Sequence, residues 1–413
     1  MQKKKRLVLI LILGFLSAIG PFSIDMYLPG FPAIAADLGT SVEVVTYSLS
    51  SYFIGICVGQ LIIGPLLDRY GRKAPLYAGL ALYILASLGC AWAPTVEILI
   101  GLRFLQAMGG CVSMVAPRAV VRDTFPVEES ARVFSMLVLV IGVSPIIAPT
   151  AGGYIITTFG WHSVFVALAL IAAAITAAVY FRLPESRPPD LTVSLRPRPI
   201  LQAYGKVLRE PQFYTYGGTG AIVSASMFSY ISGSPYVFMQ LFGVSEQHYG
   251  WLFALIAMGL ITSSQLNNLL LRRFSSEQII RLVLPVQASV GILLFVGTYL
   301  GWFGLYSTVA LIFGFLSCQG FSFPNTSALA MAPFSKEAGS ASALMGAIQM
   351  TLAALASAAV GLLANETALP MTGVMASCAL IGLLILSIGS RKIRYKAKYD
   401  DVEEQTVDMI EKY

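Results

Sequence analysis

Apolar runs of about 20 residues recur from one end of the chain to the other, with short polar stretches between them. A helix of about 20 residues crosses the hydrocarbon core of a bilayer. At that length the pattern predicts twelve helices, near 7–28, 42–66, 74–93, 96–117, 131–156, 160–182, 212–239, 248–270, 278–300, 303–326, 339–364 and 368–390. These are spans one to twelve below. The longest internal polar stretch, 183–211, reads LPESRPPDLTVSLRPRPILQAYGKVLREP and divides the spans six and six. The predicted organisation is therefore a six-helix bundle over 1–182, a cytoplasmic linker over 183–211, a second six-helix bundle over 212–390 and a cytoplasmic tail over 391–413. The first residues, MQKKKRLVLILILGFL, have the composition of a signal peptide. No small-residue cleavage site precedes the next polar loop, so they are read as a retained first span. The tail turns from basic to acidic and is expected to lack order. The other reading is a short amphipathic surface helix through Val402, Thr406, Met409 and Tyr413.

Composition excludes a soluble globular protein. Of 413 residues, 56% are hydrophobic and 12% charged, against roughly 25% charged in soluble chains. The fold class predicted is an all-α membrane protein. The net charge of +6 then concerns the two sides of a membrane and implies no nucleic-acid partner. With the N-terminus placed inside, every Lys and Arg except Arg103 falls in an inner segment: the N-terminal tail, the loops after spans two, four, eight and ten, the linker region, or the C-terminal tail. The outer loops carry none. This is the positive-inside pattern, and it predicts both termini in the cytoplasm of a cell bounded by an inner membrane. The five cysteines all lie in apolar runs, without metal-ligand spacing and far from His162 and His248. Free thiols, no metal site and no cofactor are expected.

The acidic residues also keep to the polar segments, Asp37, Glu43, Glu97, Glu246 and Glu366 in outer loops and the others in inner segments or the tail, except Asp25. The membrane interior is left with one acid, Asp25 in span one, and one base, Arg103 in span four. Each alone costs about 2.5–3.5 kcal/mol at a helix centre on insertion scales. Asp25 stands 12 residues before the outer Asp37, and Arg103 stands 6 residues after the outer Glu97. At about 1.5 Å per residue both fall in the outer half or middle of the bilayer. The expectation is that they face each other across a polar cavity. Asp25 would carry a proton, and Arg103 would favour its ionised form while the two are paired. The alternative is a static ion pair that only sets helix register. Pro29 and Pro32 are expected to interrupt the helix beyond Asp25.

Three motifs narrow the class. GPLLDRYGRK, Gly64 to Lys73, joins spans two and three. In it Gly64 would allow close helix approach, Asp68 would meet arginines or a helix end, Gly71 would permit a tight turn, and Arg69, Arg72 and Lys73 would anchor the inner surface. The stretch resembles the signature loop of the major facilitator superfamily, G-x-L-x-D-x-x-G-R-[KR], matched at Gly64, Leu66, Asp68, Gly71, Arg72 and Lys73. The resemblance implies a cytoplasmic gating latch, with Arg118 and Arg122 as candidate partners of Asp68. LRFLQAMGG in span four is similar to the superfamily's R-x-x-Q-G-x-G at Arg103, Gln106 and Gly109, with Ala107 in place of a glycine. SPIIAPTAGG in span five is similar to the antiporter motif G-x-x-x-G-P-x-x-G-G at Pro149, Gly152 and Gly153. Pro145 lies within it, and Ser144 and Ala148 stand where glycines are usual. A proline kink with small-residue packing is the plainer reading of span five.

DMYLPGFP in span one and YISGSPYVFMQ in span seven resemble the bicyclomycin-resistance and chloramphenicol-efflux (Bcr/CflA-type) group of twelve-helix drug:proton antiporters. That resemblance implies two pseudo-symmetric six-helix bundles, coupling through Asp25 and Arg103, and rocker-switch export driven by protons. NNLLLRRFSSEQ, Asn267 to Gln278, is a weaker second copy of the signature loop, as parallel repeats would leave. Candidate cavity residues are Tyr27, Tyr52, Gln106, Tyr230, Tyr236, Asn325 and Gln349, polar or amphipathic side chains in or beside spans. Each has packing or interface service as its plainer reading. The expected function is efflux of small amphipathic drugs by a monomer whose partners are its substrate and the bilayer. A proton-coupled metabolite exporter or symporter on the same fold is the alternative. An enzyme would need a catalytic cluster at membrane depth, and the sequence has no Walker A motif, so ATP is not expected to be the direct energy source.

Overall fold

The computed structural model describes residues 3–125, 127–190, 204–334 and 338–393. The linker stretch 191–203 and the tail reading through Val402 to Tyr413 lie outside the described residues. Ten of the helices are long and apolar enough, each by itself, to cross a membrane. They are span one (Lys3–Asp25, continued by Phe31–Asp37), two (Val42–Tyr70), three (Lys73–Ala91), four (Val96–Gly110 and Val112–Thr124), six (His162–Arg182), eight (Glu246–Leu270), nine (Ser276–Tyr299), ten (Leu305–Met331), eleven (Ala338–Leu362) and twelve (Leu369–Gly389). Helices also occupy the fifth position, Val127–Phe159, and the seventh, 211–241. Span seven is rich in Ser and Gly and buried on nearly every side over Thr219–Pro235. It faces protein rather than lipid, which explains its weaker apolar signal.

Local sequence sets the ends. The Thr95, Ser245 and Ser275 hydroxyls accept the first free backbone N–H groups of spans four, eight and nine, and Gln278 completes a capping box at the last. Gly71 closes span two at φ +79°, a backbone conformation that favours glycine. Regular helix in span one ends at Asp25, and Pro29 sits in a 3-10 turn over Leu28–Gly30.

Packing repeats with an offset of six. Spans one and five, two and four, three and four, and three and six pack in the first half. Spans seven and eleven, eight and ten, nine and ten, and nine and twelve pack in the second. The halves meet along two seams related by the same exchange, spans two with eleven and five with eight. Alternation of the spans gathers the basic loops at one end of the bundle; the opposite end is called the far end.

The antiporter-like stretch of span five fills the second seam. A Cβ on Gly152 would overlap the carbonyl oxygen of Met26, next to Asp25. A Cβ on Gly153 would stand 2.7 Å from the Glu246 carbonyl oxygen, and one on Gly250 would stand 2.7 Å from the Thr150 Cα. Backbone therefore touches backbone from span one through span five to span eight. Span two meets span eleven through Ser50, whose hydroxyl donates to Ser357 at 2.7 Å, while Ser232 of span seven donates to the same oxygen at 2.6 Å. Gly64 corrects an expectation. A Cβ there would meet nothing within 4 Å, so no close helix approach depends on it in this structure.

Gly152→Ala is expected to force spans one and five apart and to destabilise the protein by about 1–3 kcal/mol. Gly64→Ala and Gly142→Ala, mid-helix sites whose added Cβ atoms enter open space, should not destabilise and should gain up to about 1 kcal/mol. Thermal unfolding of the three purified variants checks the contrast.

Candidate functional site

Arg103 is fully buried, and the first half supplies everything that holds it. Its guanidinium lies 4.2 Å from the ring centres of both Tyr27 and Tyr52, with Phe165 at 5.8 Å. One terminal nitrogen donates to the Ser23 carbonyl at 2.8 Å and the other to the Gln106 side-chain oxygen. The Gln106 amide donates in turn to Ser87 at 2.7 Å, and Ser23 and Tyr83 hydroxyls meet at 2.6 Å. Tyr27 reaches Ser48 at 3.3 Å. A cation between desolvated aromatic faces gains up to about 2 kcal/mol per face, and the fork of hydrogen bonds adds to that.

Asp25 is not part of this cage, contrary to the expected pairing. It is 4% exposed, and among the described residues it forms no ion pair with Arg103 or any other cation. The physical reason is the break in span one. Asp25 ends the regular helix and Tyr27 lies in the turn beyond it. Tyr27 serves the Arg103 cage, whereas Asp25 precedes Met26, whose carbonyl abuts Gly152 of span five, and the turn beyond, Leu28–Gly30, meets spans seven and eight of the other half. Tyr249 exchanges a hydrogen bond of 2.8 Å with Ser234, and the buried Tyr230 hydroxyl has no hydrogen-bond partner.

The other cavity candidates scatter. Tyr27, Tyr52 and Gln106 are consumed by the cage. Tyr236 lines a small far-end crevice with Glu43, Thr46 and Gly361. Asn325 is locked inside the second half, donating to Asn267 at 2.7 Å and to the Phe321 carbonyl at 2.8 Å. Gln349 is buried on span eleven.

At the basic end, Arg72 is the hub of the loop. It is 1% exposed and pairs with Asp68 at 2.9 Å and Asp123 at 2.7 Å. Asp68 also meets Arg187 of the linker at 3.5 Å. Its partners are thus Arg72 and Arg187; Arg118 is exposed, and the side chain of Arg122 lies outside the described residues. Glu185 accepts from the backbone N–H groups of Arg72 (2.7 Å) and Lys73 (3.1 Å), a carboxylate at the start of span three. The Arg69 carbonyl accepts from the Asp190 N–H at 3.0 Å. Gly71 has Arg187 and Glu185 against it, so the turn needs both its φ and its small size.

The model of the Major Facilitator Superfamily matches residues 11–358. The chain belongs to this superfamily. It is a multi-pass membrane transporter, not an enzyme. Relatives include an uncharacterized MFS-type transporter, YdgK, of Bacillus subtilis, 34% identical over 92% of this chain and 95% of that one. A bicyclomycin resistance protein homolog of Haemophilus influenzae is 29% identical over 93% and 96%. The multidrug resistance protein MdtL of Escherichia coli is 31% identical over 89% and 91%. Among solved structures, a bacterial homolog of the human lysosomal transporter Spinster, inward-facing and occupied, superposes with TM-score 0.70 at 13% identity, covering 95% and 96% of the two chains. A D-xylose–proton symporter does so with TM-score 0.69 at 15% identity, covering 93% and 97%. At such identities these two show the superfamily's fold alone.

Sequence reasoning missed Ser23, Tyr83, Ser87 and Phe165 around Arg103, Tyr249 and Ser234 beside Tyr230, and Asp123, Glu185 and Arg187 around Arg72. The pair Tyr83 and Ser87, four apart on one helix face, carried a readable signal. The others are joined only by tertiary packing.

Arg103→Lys is expected to destabilise the protein by roughly 1–3 kcal/mol, because an ammonium cannot serve Ser23 and Gln106 together between two rings. Glu185→Gln should cost about 0.5–2 kcal/mol through the weakened start of span three. Melting temperatures equal to the parent's would show that neither contact holds the fold.

Proposed function

We propose that this transporter is a proton-driven antiporter that exports small amphipathic molecules, antibiotics among them, by alternating access. The observation that carries the reading is Asp25: a buried intramembrane carboxyl, with no cation paired to it among the described residues, at the end of span one just before the turn that meets the other half. Intramembrane acids are costly, and in transporters they mark proton and substrate paths. In the membrane interior a carboxyl with no cation beside it is most cheaply held as the neutral acid. When the halves rock apart at the far end, Asp25 would meet water and take a proton. When they open at the basic end, substrate would displace that proton. Arg103, sealed in its cage, would act on this cycle by fixing the break in span one through the Ser23 carbonyl, two residues from Asp25.

Drug export is supported by the names of the relatives from Haemophilus influenzae and Escherichia coli. The glycine seam of span five supports antiport, since backbone contact between the halves limits leak around the carrier. The contacts between halves at the far end fit a carrier closed there. In this reading the protein works as a monomer in the inner membrane, with the basic loops and both termini in the cytoplasm, protons as its coupling ion and no other cofactor.

Everted vesicles energised with a proton gradient, loaded against a panel of drugs and metabolites while proton flux is followed, test the proposal. Export of at least one amphipathic drug with opposing proton movement is expected. Asp25→Asn should abolish the driven component at normal expression, and full proton-driven transport by that variant would overturn the reading.

A further inference from the structure

The halves touch along both seams at the far end, and both seams part toward the basic end. In the first seam a Cβ on Gly361 would stand 2.9 Å from the Tyr47 ring, and Ser50 meets Ser357 at 2.7 Å. The Cys57 thiol meets the Thr351 hydroxyl at 3.3 Å, and a Cβ on Gly346 would stand 2.8 Å from the Gln60 side-chain oxygen. Spans two and eleven are thus antiparallel, numbers rising on one as they fall on the other. One turn beyond Gln60, a Cβ on Gly64 would meet nothing within 4 Å. In the second seam a Cβ on Gly153 would stand 2.7 Å from the Glu246 carbonyl oxygen, and one on Gly250 would stand 3.0 Å from the Pro149 carbonyl oxygen. Two turns nearer the basic end, a Cβ on Gly142 would again meet nothing within 4 Å.

The register of the contacts gives the open glycines a meaning. Residues seven apart on a helix share a face. Gly142 stands seven before Pro149, and Ala257 stands seven after Gly250. Gly64 stands fourteen after Ser50, and Ala343 stands fourteen before Ser357. Continued in its own register, each seam would bring a glycine onto an alanine, a pairing that lets two backbones approach closely. A glycine inside a helix is less favourable than an alanine, and no contact in this structure offsets that at Gly142. Gly101 and Gly314 also meet nothing, but their spans, four and ten, form neither seam.

We propose that Gly142 is a closing contact of the basic end: when the halves rock shut there, the bare backbone of span five at Gly142 takes Ala257 of span eight. Gly153 and Gly250 serve the far end in the same way in this structure. The proposal rests on the alternating-access reading and deepens it, naming where span five makes the opposite closure. Gly64 on Ala343 is the matching position of the other seam, the close approach that the sequence assigned to Gly64. A larger side chain at position 142 enters open space while the basic end is open and becomes a wedge between spans five and eight when it closes. Such a substitution acts on the balance between the two states and leaves this fold intact, because it interacts differently with each.

Pulsed electron resonance of the full chain in lipid bilayers tests this without knowledge of the substrate. Spin labels carried by non-canonical residues at Phe181 and Leu282, exposed positions near the basic end of either half, report the opening there. The parent is expected to show a long and a short distance. Gly142→Leu should melt as the parent does and lower the short-distance fraction about tenfold. Gly101→Leu, a wedge outside both seams, should leave the fractions unchanged. An unchanged short-distance fraction in Gly142→Leu overturns the contact and leaves alternating access standing. A parent with one distance, with and without a proton gradient, overturns the alternating-access reading and the contact with it. If Gly142→Leu melts below the parent, oxidation of the double variant Gly142→Cys, Ala257→Cys decides. A disulfide needs Cβ atoms about 3.5–4.5 Å apart, so a bond between these positions, located by peptide mass spectrometry, is expected, and its absence overturns the contact.

Discussion

An ionisable group inside a bilayer has no water to solvate it, so the protein must supply a solvent of its own. This chain carries two such groups and solves them separately. Arg103 is held by first-half groups, two aromatic faces, a main-chain carbonyl and a glutamine that is itself anchored to Ser87, with its Nε left unpaired. That solution is permanent, because nothing in it belongs to the other half. Asp25 is placed the opposite way, at the junction, where its surroundings depend on how the halves stand. In the proposed cycle a self-contained cation and an acid exposed by motion would divide the labour of structure and coupling.

The rest of the interior serves this division. The break in span one turns Tyr27 toward the cage and leaves Asp25 outside it, beside the turn that meets the other half. Span five then fits against that break because Gly152 has no side chain to obstruct the Met26 carbonyl. The same span reaches span eight through Gly153 and Gly250. In the proposed cycle, movement of the halves would change the contacts beside Asp25 and part Ser50 from Ser357, which Ser232 holds within the second half. Polar contacts of this kind exchange with water at little net cost, which suits a seam that opens and closes.

At the basic end the loop between spans two and three is tied to its own half by charge. Arg72 joins Asp68 to Asp123, and the first residues of the linker lie over it, Glu185 on the start of span three and Arg187 on Asp68. The linker thus begins as part of the first half. The glycine whose role was most plainly readable, Gly71, has the backbone angle the loop demands; Gly64, in the same motif, meets nothing. A motif states which residues recur together, while the neighbour each one touches is a matter of packing.

The positions of the helices, the alternation that gathers the basic loops at one end and the presence of one acid and one base among the apolar runs were legible in the sequence alone. They follow from a local rule: each segment is apolar enough for lipid or it is not, and a charge within it is visible wherever it points. Membership of the superfamily was likewise legible in short motifs with fixed spacing. What only the tertiary structure decided was the partner of each charge. Depth along the bilayer placed Asp25 and Arg103 at compatible levels, but depth says nothing about rotation about the helix axis. A two-residue step through the turn after Asp25 gave Tyr27 to the arginine and left Asp25 outside the cage, where the turn meets spans seven and eight. That choice rests on the broken helix and on backbone contacts between distant spans, and no pattern within a single span contains it.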